Sequence, residues 1–234
     1  MTVTDVNVVK SAIFERPDDA NKGTLGSLLC ICGSYGMAGA AVMSAKGALR
    51  TGIGLAKCAL PRSIYPIVAQ TILESVYYPL SENADGRISK VNVPFLVSES
   101  CKSSATLVGC GLGVCDDTLK IVFSLIENST TPLVLDADAL NCVAKQPEIL
   151  LKKKAPIIIT PHPGEMSRLT GLATPLVNAE RERVALDFAQ KYGVVTVLKG
   201  AGTVIASPNG KVLVNPTGNS GMATGGSGDV LAGM

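Results

Sequence analysis

Residues 132–160 read PLVLDADALNCVAKQPEILLKKKAPIIIT, and this stretch indicates the fold class. Two short apolar runs, Pro132–Leu135 and Pro156–Thr160, are typical of strands that are buried on both faces. The segment between them predicts a helix over Asp138–Lys145. Because a helix that joins two buried strands makes a crossover connection, we expect the strands to run parallel.

The same alternation of strands and helices extends on both sides of this stretch. Before it, we expect buried strands at Leu25–Cys32, Ile53–Leu60 and Ala105–Gly109, and helices at Ala40–Arg50 and Asp116–Glu127. After it, we expect a helix at Leu176–Tyr192, a strand at Val194–Leu198 and a hairpin of Thr203–Ala206 and Lys211–Val214. The pattern predicts one α/β domain over residues 1–234, with a mainly parallel sheet that the hairpin closes at one edge.

The composition excludes several classes of protein. Hydrophobic residues make up 47% of the 234 residues and charged residues only 17%, which excludes a disordered chain or a coiled coil. A net charge of +2 and an aromatic content of 4% argue against nucleic acid as the main partner. The seven cysteines form no CxxC pair, so reduced thiols in a cytoplasmic protein are favoured. We expect no signal peptide in Met1–Pro17 and no membrane-spanning segment.

The densest chemical signal is the glycine-rich stretch at residues 215–229, NPTGNSGMATGGSGD. Glycines 225, 226 and 228 allow backbone N–H groups to approach a ligand closely. If a helix begins near Asp229, its first N–H groups form an anion site that suits a phosphoryl group in transfer. Asp229 could then take a proton from an attacking hydroxyl. The alternative is that Asp229 only stabilises the start of the helix.

A second candidate is the loop Lys199–Thr203, which directly follows an apolar run. Gly200 and Gly202 expose backbone N–H groups, and the side chains of Lys199 and Thr203 can reach phosphate or ribose oxygens. The alternative is an ordinary tight turn between two strands.

Polar residues also follow the two strands of the opening stretch. His162, the only histidine, stands between two prolines at the carboxyl edge of the sheet, where open α/β sheets bind ligands. The alternative is a histidine that caps a turn. Asp136 and Asp138 end the preceding strand and could bind a metal or a ribose. For Asp138 we favour a cap of the following helix, and for Asp136 both interpretations stay open.

The segment Gly221–Gly233, GMATGGSGDVLAG, resembles the ADP/ATP-dependent NAD(P)H-hydrate dehydratases, which are ribokinase-like repair enzymes. Further matches follow in the family's order: Lys22–Thr24, Gly33-Ser34, Gly39–Ala41, Leu135–Asn141, Thr160–Glu165 and Lys199–Thr203. The segment around Pro161-His162-Pro163-Gly164-Glu165 is the more specific part, because the glycine-rich tail alone is shared by other ribokinase-like enzymes. Ser227 stands where Thr is expected and Cys110 where Pro is usual.

The resemblance implies a ribokinase-like, three-layer α/β/α fold and a repair reaction. In that reaction the S epimer of hydrated NADH or NADPH (NADHX or NADPHX) is phosphorylated at its hydroxyl by ADP or ATP and then loses phosphate. We expect ADP as the donor, Mg²⁺ on its phosphates, a homo-oligomer, and a functional partnership with an NAD(P)H-hydrate epimerase. The family continues through further helices after Gly233, so we expect this domain to lack its final C-terminal helices.

The resemblance also implies roles for individual residues. Asp229 is the base and contacts the hydrated dinucleotide together with Ala40, Gly113 and His162. The adenine nucleotide is assigned to Lys199, Gly200, Ala201, Gly202, Thr203 and Gly228. The anion hole consists of Gly225, Gly226, Ser227 and Gly228, and Glu165 is a candidate for holding Mg²⁺ through water. The rival functions are a small-molecule kinase of the same fold, acting on a vitamin or sugar, and a nucleotide-sensing domain without turnover.

Overall fold

The fold is known from a computed structural model, which describes residues 2–3, 10 and 16–234. Most of the stretch Met1–Pro17, for which we expect no signal peptide, lies outside the described residues. The described strands are β1 (Thr2–Val3), β2 (Ser27–Ile31), β3 (Leu55–Pro61), β4 (Val76–Leu80), β5 (Ala105–Val108), β6 (Leu133–Leu135), β7 (Ile157–Ile159), β8 (Val195–Leu198), β9 (Thr203–Ala206) and β10 (Val212–Asn215). They form one sheet in the order β1-β10-β9-β8-β7-β6-β5-β2-β3-β4.

The sheet is parallel through its centre, as the sequence predicts. Strands β4, β3, β2, β5, β6, β7 and β8 pair in parallel, and β9 is antiparallel to both of its neighbours, β8 and β10. The hairpin is therefore confirmed, but it does not form the edge, because β1 pairs in parallel with β10 outside it. The other edge strand, β4, was not predicted. Its sequence contains Pro79, which has no N–H to donate and is tolerated in edge strands.

Helices connect the parallel strands. The described α-helices are α1 (Ala38–Thr51), α2 (Tyr65–Ala69), α3 (Val93–Cys101), α4 (Asp116–Asn128), α5 (Asp138–Val143), α6 (Pro163–Thr170), α7 (Thr174–Ala179), α8 (Arg181–Tyr192) and α9 (Ser227–Gly233). Short 3₁₀ turns lie at Lys90–Asn92, Pro147–Lys152 and Ser220–Met222. The single helix predicted over Leu176–Tyr192 is wrong, because the chain leaves helical geometry at Glu180 and two helices result. Among the described residues, no helix is both long and apolar enough to cross a bilayer.

Two hydrophobic cores lie on opposite faces of the sheet. In β2, Leu29 and Ile31 belong to one core, and Leu28 and Cys30 belong to the other. Because alternate residues of a strand point to opposite faces, this division shows that the strand is covered on both sides. The three-layer α/β/α architecture is thereby confirmed.

Helix α9 is held against α1 by direct backbone contact. A Cβ atom added to Gly47 of α1 would lie 2.5 Å from the backbone oxygen of Val230, and one added to Gly233 would overlap the backbone of Ser44. Glycine at both positions lets the two helices approach more closely than side chains would allow. This contact fixes where the first turn of α9, which carries Asp229, meets the rest of the protein.

Candidate active site

Three parallel strands contribute one polar side chain each to a buried network. Asp136, which is 2% exposed, follows β6, and its Oδ1 accepts hydrogen bonds from Thr160 Oγ1 at 2.8 Å and Lys199 Nζ at 2.6 Å. Thr160 follows β7 and Lys199 follows β8. The charged network therefore lies where the carboxyl ends of the strands meet, the usual place for a ligand site in a parallel sheet.

Asp229 reaches the same point from the first turn of α9. Its carboxylate lies within 4.8 Å of the Asp136 carboxylate and of the Cys110 thiol. Partial burial is the main cause that raises the pKa of Asp229 above its ordinary value, and the negative charge of Asp136 raises it further. The Cys110 thiol and Lys199 oppose this shift. A carboxyl whose pKa is raised is a stronger base when ionised, as a proton acceptor in catalysis needs.

The glycine-rich stretch turns sharply before α9. Gly226 is the residue that precedes the helix, and its φ of 93° is in the left-handed region that favours glycine. A Cβ atom at Gly226 would also overlap the side chain of Met43. Helix α9 begins at Ser227, two residues before Asp229, so Gly228 and Asp229 belong to its first turn, where N–H groups lack carbonyl partners within the helix. The N–H of Ser227 donates to the backbone oxygen of Thr224 at 3.4 Å.

The loop Lys199–Thr203 lies beside this turn. A Cβ atom at Gly228 would lie 3.6 Å from Lys199 Nζ, so the loop and the start of α9 face each other. Thr203 Oγ1 donates a hydrogen bond to the backbone oxygen of Gly200 at 3.0 Å, and Gly200 and Gly202 have φ values of 149° and 67°. The glycines are therefore required by the backbone conformation of the loop itself.

The sequence did not indicate a role for Arg181, which holds the loop Lys199–Thr203 through its backbone. Arg181 Nη2 donates hydrogen bonds to the backbone oxygens of Leu198 at 2.8 Å and Lys199 at 3.2 Å. A cleft of about 470 Å³, a size typical of ligand pockets, lies beside the loop and is lined by Arg181, Ala201 and Gly202, among others. Burial lowers the pKa of Arg181.

His162 caps helix α6. Its Nδ1 accepts hydrogen bonds from the N–H groups of Gly164 at 3.0 Å and Glu165 at 3.3 Å, and Glu165 Oε2 accepts from the His162 N–H at 2.8 Å. The capping interpretation is therefore confirmed, and Nδ1 is committed to it. The ring is still 51% exposed, and its Nε2 is 3.4 Å from Glu165 Oε1. Contact of His162 with a substrate stays a prediction.

Glu165 is a buried part of the same arrangement. Its Oε2 lies 4.0 Å from Lys199 Nζ, so α6 is joined to the central network. Burial is the main cause that raises the pKa of Glu165, and the His162 N–H and Lys199 oppose it. Its role toward magnesium stays a prediction.

Asp138 does not cap α5, contrary to our expectation. The helix is preceded by Ala137, and no side chain caps it. Asp138 Oδ2 instead accepts a hydrogen bond from the N–H of Gly113 at 2.8 Å, which ties down the loop after β5. Ala40, in the first turn of α1, is buried and lies under Gly111 of that loop, where an added Cβ would be 2.8 Å away. The substrate contacts of Ala40 and Gly113 stay predictions.

With this geometry in place, the comparisons with known proteins decide the family. A family model described as NAD(P)H-hydrate dehydratase matches residues 28–234. The chain belongs to this family.

Relatives of the dehydratase family align over most of the chain. It is similar to the ADP-dependent (S)-NAD(P)H-hydrate dehydratase of Bacillus subtilis, with 33% identity over 97% of this chain and 76% of the relative. It is 41% identical to a bifunctional NAD(P)H-hydrate repair enzyme of Thermofilum pendens, over 93% of this chain and 42% of that enzyme. The chain thus spans less than half the length of the bifunctional relatives that it matches.

Solved structures agree with the family assignment. A crystal structure of the ADP/ATP-dependent NAD(P)H-hydrate dehydratase from Bacillus subtilis, co-crystallised with ATP/Mg²⁺, is similar with a TM-score of 0.84 and 32% identity. The match covers 100% of this chain and 79% of that one. A ribokinase-like protein of Enterococcus faecalis, with a TM-score of 0.84 and 24% identity, covers 99% of this chain and 77% of its own. The predicted ribokinase-like fold and the predicted family are both confirmed.

Proposed function

We propose that this dehydratase-family protein repairs the S epimer of hydrated NADH or NADPH in a reaction driven by ADP. The observation that carries the proposal is the convergence of Asp229, Lys199 and Gly228 above the buried Asp136. These residues belong to the motifs that the family shares and that the resemblance assigns to the base and to the nucleotide. The dehydratases named ADP-dependent, from Bacillus subtilis and Neisseria meningitidis, support ADP as the donor.

In the proposed reaction Asp229 accepts the proton of the substrate's C6 hydroxyl as that oxygen attacks the terminal phosphorus of ADP. The P–O bond to AMP breaks. The phosphorylated C6 oxygen then leaves as phosphate while the neighbouring ring carbon, C5, loses a proton to solvent, and the new C5–C6 double bond restores the dihydronicotinamide ring. In this proposal the N–H groups of Gly225–Gly228 and the ammonium of Lys199 hold the transferring phosphoryl group. The N–H groups are fixed before the reaction, because α9 rests on α1 through glycine contacts.

Magnesium fits this arrangement when the donor's phosphates supply most of its ligands. Of the carboxylates around the network, Asp136 is engaged by Lys199, and Asp138 by the Gly113 N–H. Asp229 is partly exposed, and it is the residue that would lie nearest the ion. Mg²⁺ typically binds through one or two carboxylates together with substrate phosphates. When bound, it would neutralise charge on the donor's phosphates.

We further propose a functional partnership with an NAD(P)H-hydrate epimerase, since hydrated cofactor of the other epimer would otherwise escape repair. The bifunctional names of several relatives support this pairing. The seven free cysteines support a cytoplasmic location. We also propose a homo-oligomer, which light scattering on the purified protein tests.

The decisive experiment replaces Asp229 by Asn, which keeps the shape of the side chain but cannot accept the proton. We expect turnover of hydrated NADH to fall about 10²- to 10⁴-fold while ADP still binds. Asp187→Asn is the matched control, because Asp187 lies exposed on α8. Turnover is followed as recovery of NADH absorbance together with phosphate release, with ADP and ATP in parallel.

Each possible result has one meaning. More than half of wild-type turnover in Asp229→Asn contradicts the role of Asp229 as the base. A stable phosphorylated product, without recovered NADH, indicates the small-molecule kinase instead. Nucleotide binding without any turnover in the wild type indicates the sensing domain. Turnover that is ten times faster with ATP overturns the choice of ADP.

A further inference from the structure

A buried thiol lies directly beneath the proposed reaction centre. Cys110, which is 0% exposed, follows β5 and donates a hydrogen bond from its thiol to Asp136 Oδ2 at 3.7 Å. Asp136 uses its other oxygen, Oδ1, for Lys199 and Thr160. The Oδ2 atom is therefore the one that faces the thiol and Asp229.

A second thiol, that of Cys32, lies next to Cys110. Cys32, directly after β2, is 1% exposed, and its thiol is close enough to Cys110 to raise the pKa of the Cys110 thiol. The N–H of Gly33 donates to the backbone oxygen of Cys110 at 2.8 Å, which holds the two chain segments together. Ser44, fully buried on α1, influences the pKa of both thiols, and its hydroxyl has no hydrogen-bond partner among the described residues.

We propose that Cys110, Asp136 and Asp229 form a binding site for a thiophilic divalent cation such as Zn²⁺ or Cd²⁺. The sulfur of Cys110 and the two carboxylates lie within 4.8 Å of one another. Ligands around a tetrahedral zinc ion are about 3.5 Å apart, given Zn–S and Zn–O bonds of about 2.3 and 2.1 Å. Side-chain movements of about 1 Å would therefore bring these ligand atoms to the spacing that a bound ion needs.

The donor set selects the kind of metal. Thiolates favour zinc and softer ions, whereas magnesium prefers oxygen ligands throughout. Asp229 is partly exposed, so an ion can enter from its side. The Cys110 thiol must lose its proton on binding, and the carboxylates help to balance the charge of the ion.

A bound soft cation would also occupy the Asp229 carboxylate, which could then not accept the substrate's proton. If the proposed function holds, Zn²⁺ inhibits turnover even when Mg²⁺ is in excess. This consequence rests on the proposed function, but metal binding does not, so the test uses the metal alone without nucleotide or substrate.

The test titrates the purified protein with Cd²⁺ in a phosphine reductant, which keeps thiols reduced without competing as a thiol. Thiolate-to-cadmium charge-transfer absorbance reports sulfur ligation, and calorimetry gives the affinity and stoichiometry. We expect one equivalent of Cd²⁺ in the wild type, no band at that stoichiometry in Cys110→Ala, and at least about tenfold weaker binding in Asp229→Asn. Mg²⁺ in place of Cd²⁺ should give no signal at this group.

Cys115→Ala is the control, because the Cys115 thiol is more exposed than that of Cys110. Partial burial raises the pKa of Cys115, but hydrogen bonds, including one with Thr118, outweigh it, so that the pKa is lowered overall. The variant should bind Cd²⁺ like the wild type, and loss of binding would place the site at Cys115 and overturn the proposal. Unchanged binding in folded Cys110→Ala or in Asp229→Asn would overturn it as well. So would a Cys32–Cys110 disulfide that resists the reductant and excludes the metal.

Discussion

Gly228 offers a test that separates the proposed nucleotide site from the stability of the fold. Gly228 is the second residue of α9 and, unlike Gly226, its φ is not positive. A Cβ atom there would lie 3.6 Å from Lys199 Nζ, an ordinary van der Waals distance. Gly228→Ala therefore fits the folded chain, and the better helix propensity of alanine should keep stability unchanged or raise it by up to about 1 kcal/mol.

The same methyl group would stand between the ammonium of Lys199 and the first-turn N–H groups, where the phosphoryl oxygens are proposed to lie. Displacing the phosphate from one charged hydrogen bond costs about 1.5–3 kcal/mol, which corresponds to roughly 10- to 150-fold in affinity. We therefore expect Gly228→Ala to bind ADP that much more weakly without any loss of thermal stability.

Calorimetry with ADP and thermal unfolding, both on the same preparations, check this expectation. Gly39→Ala is the matched control, because Gly39 is the second residue of α1, lacks a positive φ, and an added Cβ would touch only the end of Met43 at 4.0 Å. If folded Gly228→Ala binds ADP as tightly as the wild type, phosphate does not lie at the start of α9 and the reasoning fails.

Further substitutions test His162 and Asp136 at the site and Glu99 on α3. His162→Ala should lower the free energy of unfolding by about 0.5–2 kcal/mol through loss of the cap, and it should raise the KM for hydrated NADH more than that for ADP. His162→Asn should restore stability but not the KM. An equal rise of both KM values would show that His162 acts only as a helix cap. Asp136→Asn leaves Lys199 without its charged partner, so we expect a loss of about 3 kcal/mol, and an unchanged unfolding midpoint would contradict this. The Lys102 hydrogen bond lowers the pKa of Glu99 in the folded protein, so this carboxylate stabilises the fold above its ordinary pKa, and the contribution disappears as the pH falls below it. The stability difference between wild type and Glu99→Gln should therefore stay constant from about pH 7 to pH 5 in urea unfolding and shrink as the pH falls from about 5 towards 2, and a difference that stays constant over the lower range would contradict the assignment.

The central sheet could be predicted because its strands are short, continuous apolar runs between helices. Predicted and observed bounds agree within two residues for β2, β3 and β5. Strand β4, VYYPL, was missed because Pro79 lies within it, and a proline argues against a strand in the interior of a sheet. Its place in the sheet comes from pairing with β3, a long-range contact that no local pattern carries.

The sequence predicted the glycine-rich turn and Asp229 at the start of a helix, but not the contacts that support them. Glycines and an aspartate at a helix start form a local pattern, and Asp229 lies in the first turn of α9. Lys199 was predicted to face phosphate, but its ammonium rests on Asp136, which is 63 residues away in the sequence. Arg181 could not be found, because nothing in its own helix indicates that it bonds the backbone after β8.

Two kinds of glycine account for the geometry of this site, and they act at different levels. Gly226 and Gly200 have positive φ values, which glycine tolerates best, and these bend the chain before α9 and after β8. Gly47 and Gly233 have no positive φ, yet an added Cβ would push α1 and α9 apart. Because Asp229 lies on α9 and Ala40 on α1, the separation of these two helices sets the distance between the proposed base and the proposed substrate contact. A side chain at Gly47 would therefore move Asp229 without touching any ligand, so this glycine of α1 acts on the site through the position of a helix.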